Sequence, residues 1–177
     1  MSRQFGKVRQ LGYVVRDLDT ALDRWTKDLG VGPFFKIGNV PLSEFSYRGV
    51  PSRPDLNIAL AYSGDLQIEL IQQLNDAESP YRDFLDTSGP GLHHVCAFST
   101  QYDSLLEQLA ASGRVPDCTG AISDISRFSY FDVDNTDGTV IEIGDAARSP
   151  ELGEAFEVMH KASVDWDGSQ PIRAMSL

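Results

Sequence analysis

The strongest constraint on the fold of this chain is an internal repeat. Residues 10–29 read QLGYVVRDLDTALDRWTKDL, and residues 94–113 read HVCAFSTQYDSLLEQLAASG. Each stretch begins with a short apolar run and continues with apolar residues at the i, i+3, i+4, i+7 spacing of a helix with one buried face. Gln10 and His94 are 84 residues apart, as are Asp19 and Asp103 near the two helix starts. A repeat at a fixed offset predicts two copies of one structural unit.

The segments that follow each predicted helix have the composition of short strands. They are residues 34–37, 44–47, 56–62 and 66–71 in the first half and residues 127–133 and 139–143 in the second. We therefore predict an α+β fold of two βαβββ modules that form a cupped, partly closed mixed sheet. Module one is expected at about residues 8–75 and module two at about 91–146, within one domain spanning residues 1–177.

Two further helices are expected outside the repeat. A short helix should begin at Ser79-Pro80, between the modules, and a longer one at Ser149-Pro150, because both pairs are typical of helix starts. The second helix would carry Leu152, Ala155, Phe156 and Met159 on one face. From Asp165 onward the sequence has no periodicity, so residues 149–177 are described as a helical tail that either wraps over the domain or stays loose.

Four polar residues occupy related places in the two modules. Gln10 and His94 open the first strands, while Glu69 in LQIEL and Glu142 in TVIEI lie inside the apolar last strands. Taken singly, each is more often a surface or hydrogen-bonded structural residue. If the modules pack as a pair, however, the four side chains meet at one point, where two buried carboxylates would repel each other without a cation. Neighbours in a strand point to opposite faces, so His93 should point away from this site.

The predicted ligand atoms are three oxygens and one nitrogen. Such a set suits one divalent ion, among them zinc, nickel, cobalt, manganese and magnesium, rather than copper(I) or an iron–sulfur cluster. An ion held by four protein groups keeps one or two positions for water or substrate oxygens if it is five- or six-coordinate.

Four motifs resemble, in order, those of the vicinal oxygen chelate superfamily: QLGYVVRDLDTAL, LQIELIQQL, SPYRDFLDTSGPGLHHVCAFS and FDVDNTDGTVIEI. This superfamily includes glyoxalase I, methylmalonyl-CoA epimerase, extradiol dioxygenases and bleomycin resistance proteins. The resemblance covers residues 8 to 146 and implies metal ligands at Gln10, Glu69, His94 and Glu142, together with a homodimer. Histidine is commoner at the position of Gln10, but eukaryotic-type glyoxalase I has the same Gln/Glu/His/Glu set.

The resemblance also implies a reaction class. A metal that binds two neighbouring oxygens of a substrate acidifies the adjacent C–H and stabilises the negative charge that develops. We expect Glu142 to be both ligand and general base, with Glu69 as ligand or partner base. This describes an isomerase, epimerase or lyase acting on an oxo acid or thioester. The third motif is most similar to methylmalonyl-CoA epimerase, whereas the two-histidine triad of extradiol dioxygenases is broken by Gln10.

Substrate contacts are predicted from aromatic and cationic residues near these strands. The candidates are Tyr47, Tyr62, Arg82, Phe128 and Tyr130. Two alternatives stay open beside the enzyme: a non-catalytic small-molecule binding or resistance protein, and a structural or regulatory subunit with a relict site. The complete ligand set favours the enzyme over the binding protein, and nothing in the tail identifies a partner for a structural or regulatory subunit.

Composition limits the partners. The net charge of −11 and a pI near 4.5 argue against nucleic acid and anionic membranes. No apolar stretch is long enough to span a membrane, and the N-terminus reaches Arg3 and Lys7 without an apolar run, so we expect no signal peptide. Two cysteines, Cys96 and Cys118, fit a reducing compartment. We therefore expect a cytoplasmic protein with a small-molecule substrate.

Overall fold

The first strands of the two modules lie side by side at the centre of one curved sheet. A computed structural model describes residues 3–134 and 139–175 of the chain. In this part of the chain eleven strands form a single mixed sheet that is not closed, and four helices pack against it. The predicted α+β fold class is confirmed. Residues 135–138, inside the last quoted motif, lie outside the described residues.

Module one supplies half of the sheet. Its elements are β1 (Gln10–Val14), α1 (Leu18–Asp23), β2 (Phe34–Ile37), β3 (Leu42–Tyr47), β4 (Val50–Pro51), β5 (Leu56–Ser63) and β6 (Leu66–Gln73). Helix α1 begins after Asp17, whose carboxylate accepts a hydrogen bond from the Thr20 N–H at 2.7 Å, and it continues as a wider π-helical turn over Arg24–Asp28. Leu18 and Leu22 of α1 are buried against the outer face of the sheet.

Module two repeats this plan. Its elements are β7 (Gly91–Ser99), α3 (Tyr102–Ala111), β8 (Cys118–Ile122), β9 (Ser126–Phe131) and β10 (Val140–Asp145). The strand order β7-β10-β9-β8 mirrors the order β1-β6-β5-β2 of module one, and β1 pairs antiparallel with β7. The last strand of each module therefore lies directly beside its first strand, which sets the positions of the candidate ligands.

Strands β3 and β4 depart from the predicted three strands after each helix. They form a hairpin that leaves module one and pairs with β8 of module two, in a register that places Phe45 opposite Gly120. Gly120 gives room for the ring of Phe128, which a Cβ at this position would meet at 2.2 Å. The hairpin therefore connects the two modules and extends the sheet beyond β8.

Two helices lie outside the repeat, and a further strand follows the second of them. Helix α2 (Pro80–Thr87) begins at Ser79, whose hydroxyl accepts from the Arg82 N–H at 3.0 Å, and α4 (Pro150–Ser163) begins after Ser149 as predicted. The tail is not loose: β11 (Ile172–Ala174) pairs parallel with β2 at the edge of the sheet. None of the helices in residues 3–134 and 139–175 combines the length and the apolar composition that a membrane span requires.

Candidate metal centre

The register of the strands directs the predicted ligands to the concave face of the sheet. In the parallel pair β1–β6, Gln10 lies opposite Gln67 and Gly12 lies opposite Glu69. Since side chains alternate along a strand, Gln10, Gly12, Gln67 and Glu69 all share one face.

The parallel pair β7–β10 of module two has the same arrangement. His94 lies opposite Val140, and Glu142 lies opposite Cys96, two residues further along β7. His94 is also the partner of Gly12 across the junction between the modules. The carboxylate of each last strand thus stands next to the junction, where the two modules meet.

Gly12 makes room for the imidazole of His94. A Cβ at this position would lie 1.9 Å from Cε1 and 2.1 Å from Nε2 of His94, far inside van der Waals contact. Because Gly12 has no side chain, the ring lies across the backbone of β1 and reaches towards Glu69 on the other side. Gly12 was not among the predicted site residues, and its place after Gln10 in the strand gives no local signal of this role.

Glu69, His94 and Glu142 converge on one buried point. Nε2 of His94 is 2.8 Å from Oε2 of Glu142 and 3.5 Å from Oε2 of Glu69. One ligand atom from each of the three residues lies within 4.8 Å of the others. The His94 side chain is 0% exposed, and the two carboxylates are 13% and 10% exposed. These distances are compatible with three ligands of a single ion.

The contacts within this cluster are close but are not satisfied hydrogen bonds. Among the described residues, Nε2 of His94 and Oε2 of Glu142 are buried without an aligned hydrogen-bond partner, although they are close enough to interact as charges. Buried polar atoms without partners are rare in folded proteins, and they often mark a position where an ion or a water molecule binds. The cluster therefore fits a divalent cation both in its donor types and in its unpartnered atoms.

Electrostatics within the cluster shift two pKa values. Burial on its own would lower the pKa of His94, but the charges and contacts of Glu142 and Glu69 outweigh it and raise the pKa to about 9. Burial raises the pKa of Glu69, with a further contribution from the charge of Glu142, against the opposing effect of His94. In the absence of a cation, a proton on His94 thus partly compensates the two carboxylates.

Gln10 lines the same cavity as the two carboxylates, and its amide nitrogen is held by a hydrogen bond to Gln67. Its Nε2 donates to Oε1 of Gln67 at 2.8 Å, and Nε2 of Gln67 donates to the Tyr62 hydroxyl at 3.0 Å. Gln10, Glu69 and Glu142 all line one cavity. This hydrogen bond occupies the amide nitrogen of Gln10 and leaves its carbonyl oxygen as the atom suited to bind a cation.

The expected alternation of His93 and His94 is wrong, because the β1–β7 ladder shifts register at this point. Gly12 pairs with His94 and Tyr13 pairs with Leu92, so His93 is an extra residue in a bulge. Nδ1 of His93 is 3.0 Å from Nδ1 of His94. Because the raised pKa of His94 keeps both of its ring nitrogens protonated at neutral pH, its Nδ1–H donates to Nδ1 of His93. Burial lowers the pKa of His93 well below its ordinary value, which keeps it neutral and able to accept.

The cluster forms one end of a mostly apolar cavity on the concave face. The cavity measures about 80 Å³, and one water needs about 10–15 Å³ on the same measure. Its walls come from both modules and include Ile37 and Leu60 of module one and Phe98 and Ile122 of module two. Helix α4 closes it with the stripe Leu152, Ala155, Phe156 and Met159. The sequence had indicated this stripe as one face of a helix but gave no sign that it covers the site.

The five predicted substrate contacts are divided between the cavity and other surfaces. Phe128 and Tyr130 line the cavity, and the Tyr130 hydroxyl is 3.1 Å from that of Tyr81, a lining residue that was not predicted. Tyr62 lies in a neighbouring groove and reaches the site only through Gln67.

The structure does not bring Tyr47 or Arg82 to the cavity. The Tyr47 hydroxyl donates to the Asp83 carboxylate at 2.8 Å. Arg82 pairs on the surface with Asp76 at 3.1 Å and with Asp86 at 3.7 Å. These contacts give both residues structural partners in and around α2.

Comparisons with known proteins agree with this architecture. No curated protein sequence matches the chain significantly. Among solved structures, methylmalonyl-CoA epimerase from Mycobacterium tuberculosis is 20% identical, with a TM-score of 0.59 over 87% of this chain and 96% of that one. A hypothetical protein from Bacillus halodurans is 18% identical, with a TM-score of 0.57 over 78% of this chain and 93% of that one.

A third similar structure holds a ligand. Methylmalonyl-CoA epimerase from Streptomyces coelicolor, in complex with 2-nitronate-propionyl-CoA, is 16% identical, with a TM-score of 0.56 over 81% of this chain and 99% of that one. At these identities the three structures show a shared fold.

Family membership comes from the sequence. The family model described as glyoxalase/bleomycin resistance protein/dioxygenase superfamily matches residues 9–119, which include Gln10, Glu69 and His94. The resemblance to the vicinal oxygen chelate proteins is thereby confirmed. This chain belongs to the glyoxalase/bleomycin resistance protein/dioxygenase superfamily.

Proposed function

We propose that this chain is a metal-dependent enzyme that moves a proton next to a carbonyl group, as an isomerase, epimerase or lyase. Its substrate would be a small oxo acid or thioester. The observation that carries the proposal is the approach of the Glu142 and Glu69 carboxylates, one buried and one partly buried, to Nε2 of the buried His94 at 2.8 and 3.5 Å, beside a cavity that both carboxylates line. Family membership and the epimerases among the similar structures support it.

Glu69, His94 and Glu142, with the carbonyl oxygen of Gln10, would hold the cation. Zinc, nickel, cobalt and manganese all accept this combination of carboxylate, imidazole and amide ligands. When bound, the ion would polarise a substrate carbonyl and stabilise negative charge on its oxygen. His93 would accept a hydrogen bond from Nδ1 of His94 and so fix the orientation of that ligand.

The carboxylates of Glu142 and Glu69 would carry the proton. Both line the cavity, so each can reach a C–H group of a substrate that lies there. Burial raises the pKa of Glu69, which makes this carboxylate a stronger base than an exposed one. One carboxylate removing a proton and the other returning it gives epimerisation; the same group returning it to a neighbouring carbon gives isomerisation.

The remaining walls would exclude water. The apolar residues of the cavity and the cover formed by α4 offer few hydrogen-bond partners to water. Water would therefore be excluded, and the reacting carbon of the substrate would not take a proton from solvent. This arrangement also strengthens the electrostatic interactions between the substrate and the charged floor.

The test is solvent deuterium exchange into three substrate classes: 2-oxo acids, hemithioacetals and acyl-CoA thioesters, each followed by NMR with metal-loaded protein. We expect exchange in one class, at a rate that falls by about a hundredfold or more in Glu142→Gln or Glu69→Gln. Glu44→Gln, an exposed carboxylate in β3, is the matched control and should keep the full rate. Full exchange in both site variants would contradict the assignment of the bases.

A second function, non-catalytic sequestration of a small molecule, is favoured by one observation. The cavity is largely apolar and is covered by a helix, as a binding protein requires. That function predicts ligand uptake that does not depend on metal and no exchange in any substrate class. Metal content of protein purified without chelator separates the two functions, because the enzyme should retain about one ion per chain and the sequestering protein should not.

A further inference from the structure

Few polar groups line the covered cavity. Gln10, Glu69 and Glu142 form the floor, and the only other polar side chains among the described lining residues are Ser126 and the two tyrosines. The hydroxyls of Tyr81 and Tyr130 are 3.1 Å apart and bond to each other. A sugar or other polyol held against these walls would lose hydrogen bonds to water and find few replacements.

The cavity also offers no compensation for a negative charge. No lysine or arginine lines it in the described part of the chain, and its floor already contains two carboxylates. An anionic group placed between the walls would be desolvated without a counter-ion, at a high energetic cost. The part of a ligand that extends from the floor along the walls is therefore restricted to uncharged groups.

Helix α4 is firmly placed over this space. Met159 is buried in the cluster on the concave face, and the ring of Phe156 packs against Phe98 of β7 with centroids 5.5 Å apart. In the segment that follows the helix, Trp166 lies against Gly32, where a Cβ would meet its ring at 2.8 Å. The contacts of Met159 and Phe156 thus fix the apolar stripe of α4 against the sheet, and all four residues of the stripe line the cavity.

We propose that the substrate of this site carries an uncharged hydrocarbon group, aliphatic or aromatic, attached to its oxygen-bearing head, and that this group lies between the sheet and α4. The inference rests on the proposed function, because it assigns the cavity to the substrate of the metal site. It narrows the substrate class: a second carboxylate, a phosphate or a sugar can be part of the substrate only outside the cavity.

The first test uses alkyl hydroxamic acids, whose two neighbouring oxygens chelate a metal, in a series from acetohydroxamate to octanohydroxamate. Affinity for the full chain loaded with Zn²⁺ is measured by calorimetry. We expect each added methylene to tighten binding by about fourfold until the cavity is full. A constant affinity along the series would overturn the inference.

Two variants locate the hydrocarbon group. Ala155→Trp places a large ring in the cavity and should remove the gain along the series, whereas Val158→Trp, on the exposed side of the same helix, should preserve it. Equal behaviour of the two variants, with both folded by circular dichroism, would overturn the position assigned to the hydrocarbon group.

A metal-independent measurement separates this inference from the proposed function. The neutral dye N-phenyl-1-naphthylamine should bind the metal-free protein with increased fluorescence, and 1-octanol should displace it. Dye binding together with hydroxamate affinities that do not change with Zn²⁺ would refute the metal centre and support the apolar cavity. Hydroxamates that need Zn²⁺ but show no chain-length effect, with no dye binding, would refute the cavity and leave the metal centre.

Discussion

The two halves of the candidate metal centre have the same strand geometry but different chemistry. In module two, His94 faces Val140 across the strand pair, and its ring is directed at the carboxylates and supported by His93. In module one, Gln10 faces Gln67, and the two amides bond to each other at 2.8 Å.

The difference between Val140 and Gln67 separates the tasks of the two halves. With an apolar neighbour, His94 has no hydrogen-bond partner across the strand pair to turn its Nε2 away from the cation position. With an amide neighbour, Gln10 is held in place but contributes only a neutral oxygen. We infer that module two supplies most of the affinity for the metal, and that module one supplies its carboxylate and the space for the histidine ring.

The largest expected effect is the loss of the histidine. His94→Ala should weaken Zn²⁺ binding by more than about a hundredfold, beyond the loss expected for a residue that only supports a ligand. Gln10→Ala should weaken it by about tenfold, because a neutral ligand is lost from a site whose charged ligands remain. Calorimetric titration of the two metal-free variants measures both values. Equal losses of affinity in the two variants would contradict the inference that module two supplies most of the affinity for the metal.

The next effect concerns the space that module one gives to the ring. Gly12→Ala adds one methyl group at 1.9 Å from the imidazole, so His94 must move, and Zn²⁺ affinity should fall by about a hundredfold. Gly91→Ala is the matched control, since a Cβ there has no heavy atom within 4 Å. If Gly12→Ala binds Zn²⁺ as tightly as Gly91→Ala, the position of the His94 ring does not depend on the absence of a side chain at residue 12.

The third effect is a dependence of metal affinity on pH. The pKa of His94 in the metal-free site is raised to about 9, so the imidazole carries a proton at neutral pH and a cation must displace it. Zn²⁺ affinity should therefore rise by about tenfold per pH unit from pH 7 towards pH 9 and level off above it. Titrations in buffers of different ionisation enthalpy count the proton released. A flat profile over this range would show that His94 is already neutral without metal.

The smallest effect concerns the support behind the ligand. His93 lies among the rings of Tyr81, Phe84 and Tyr130, so His93→Phe keeps the packing and removes the acceptor for Nδ1 of His94. Zn²⁺ affinity should fall by up to about tenfold. His93→Asn, which can still accept, should recover part of it. If the same titration shows unchanged Zn²⁺ affinity in both variants, His93 has only a packing role.

Much of the fold could be predicted because the same local sequence patterns occur twice in the chain. The helical stripe after each first strand and the alternation within the last strands define the modules, and the 84-residue offset relates Gln10 to His94. The convergence of Glu69 and Glu142 followed from assuming that equivalent strands meet. Their catalytic roles, the homodimer and the cytoplasmic location stay predictions.

The features that escaped prediction depend on partners distant in the sequence. Nothing in residues 42–47 shows that this strand pairs with β8 of the other module rather than within its own. The bulge at His93 arises from how β1 and β7 align, and the role of Gly12 from the ring that lies across it. The stripe on α4 was visible, but an apolar face does not reveal whether it packs on a core or covers a cavity.

The strands at the two ends of the sheet have a consequence for how this protein can associate. One end is β11, with three residues, and the other is β4, with two residues, one of which is Pro51. Short outer strands and proline leave few free backbone groups for a neighbouring chain, which is how natural sheets avoid uncontrolled growth. Copies of this protein would therefore join through side-chain surfaces, such as the outer faces of the helices, rather than by extending one sheet into the next.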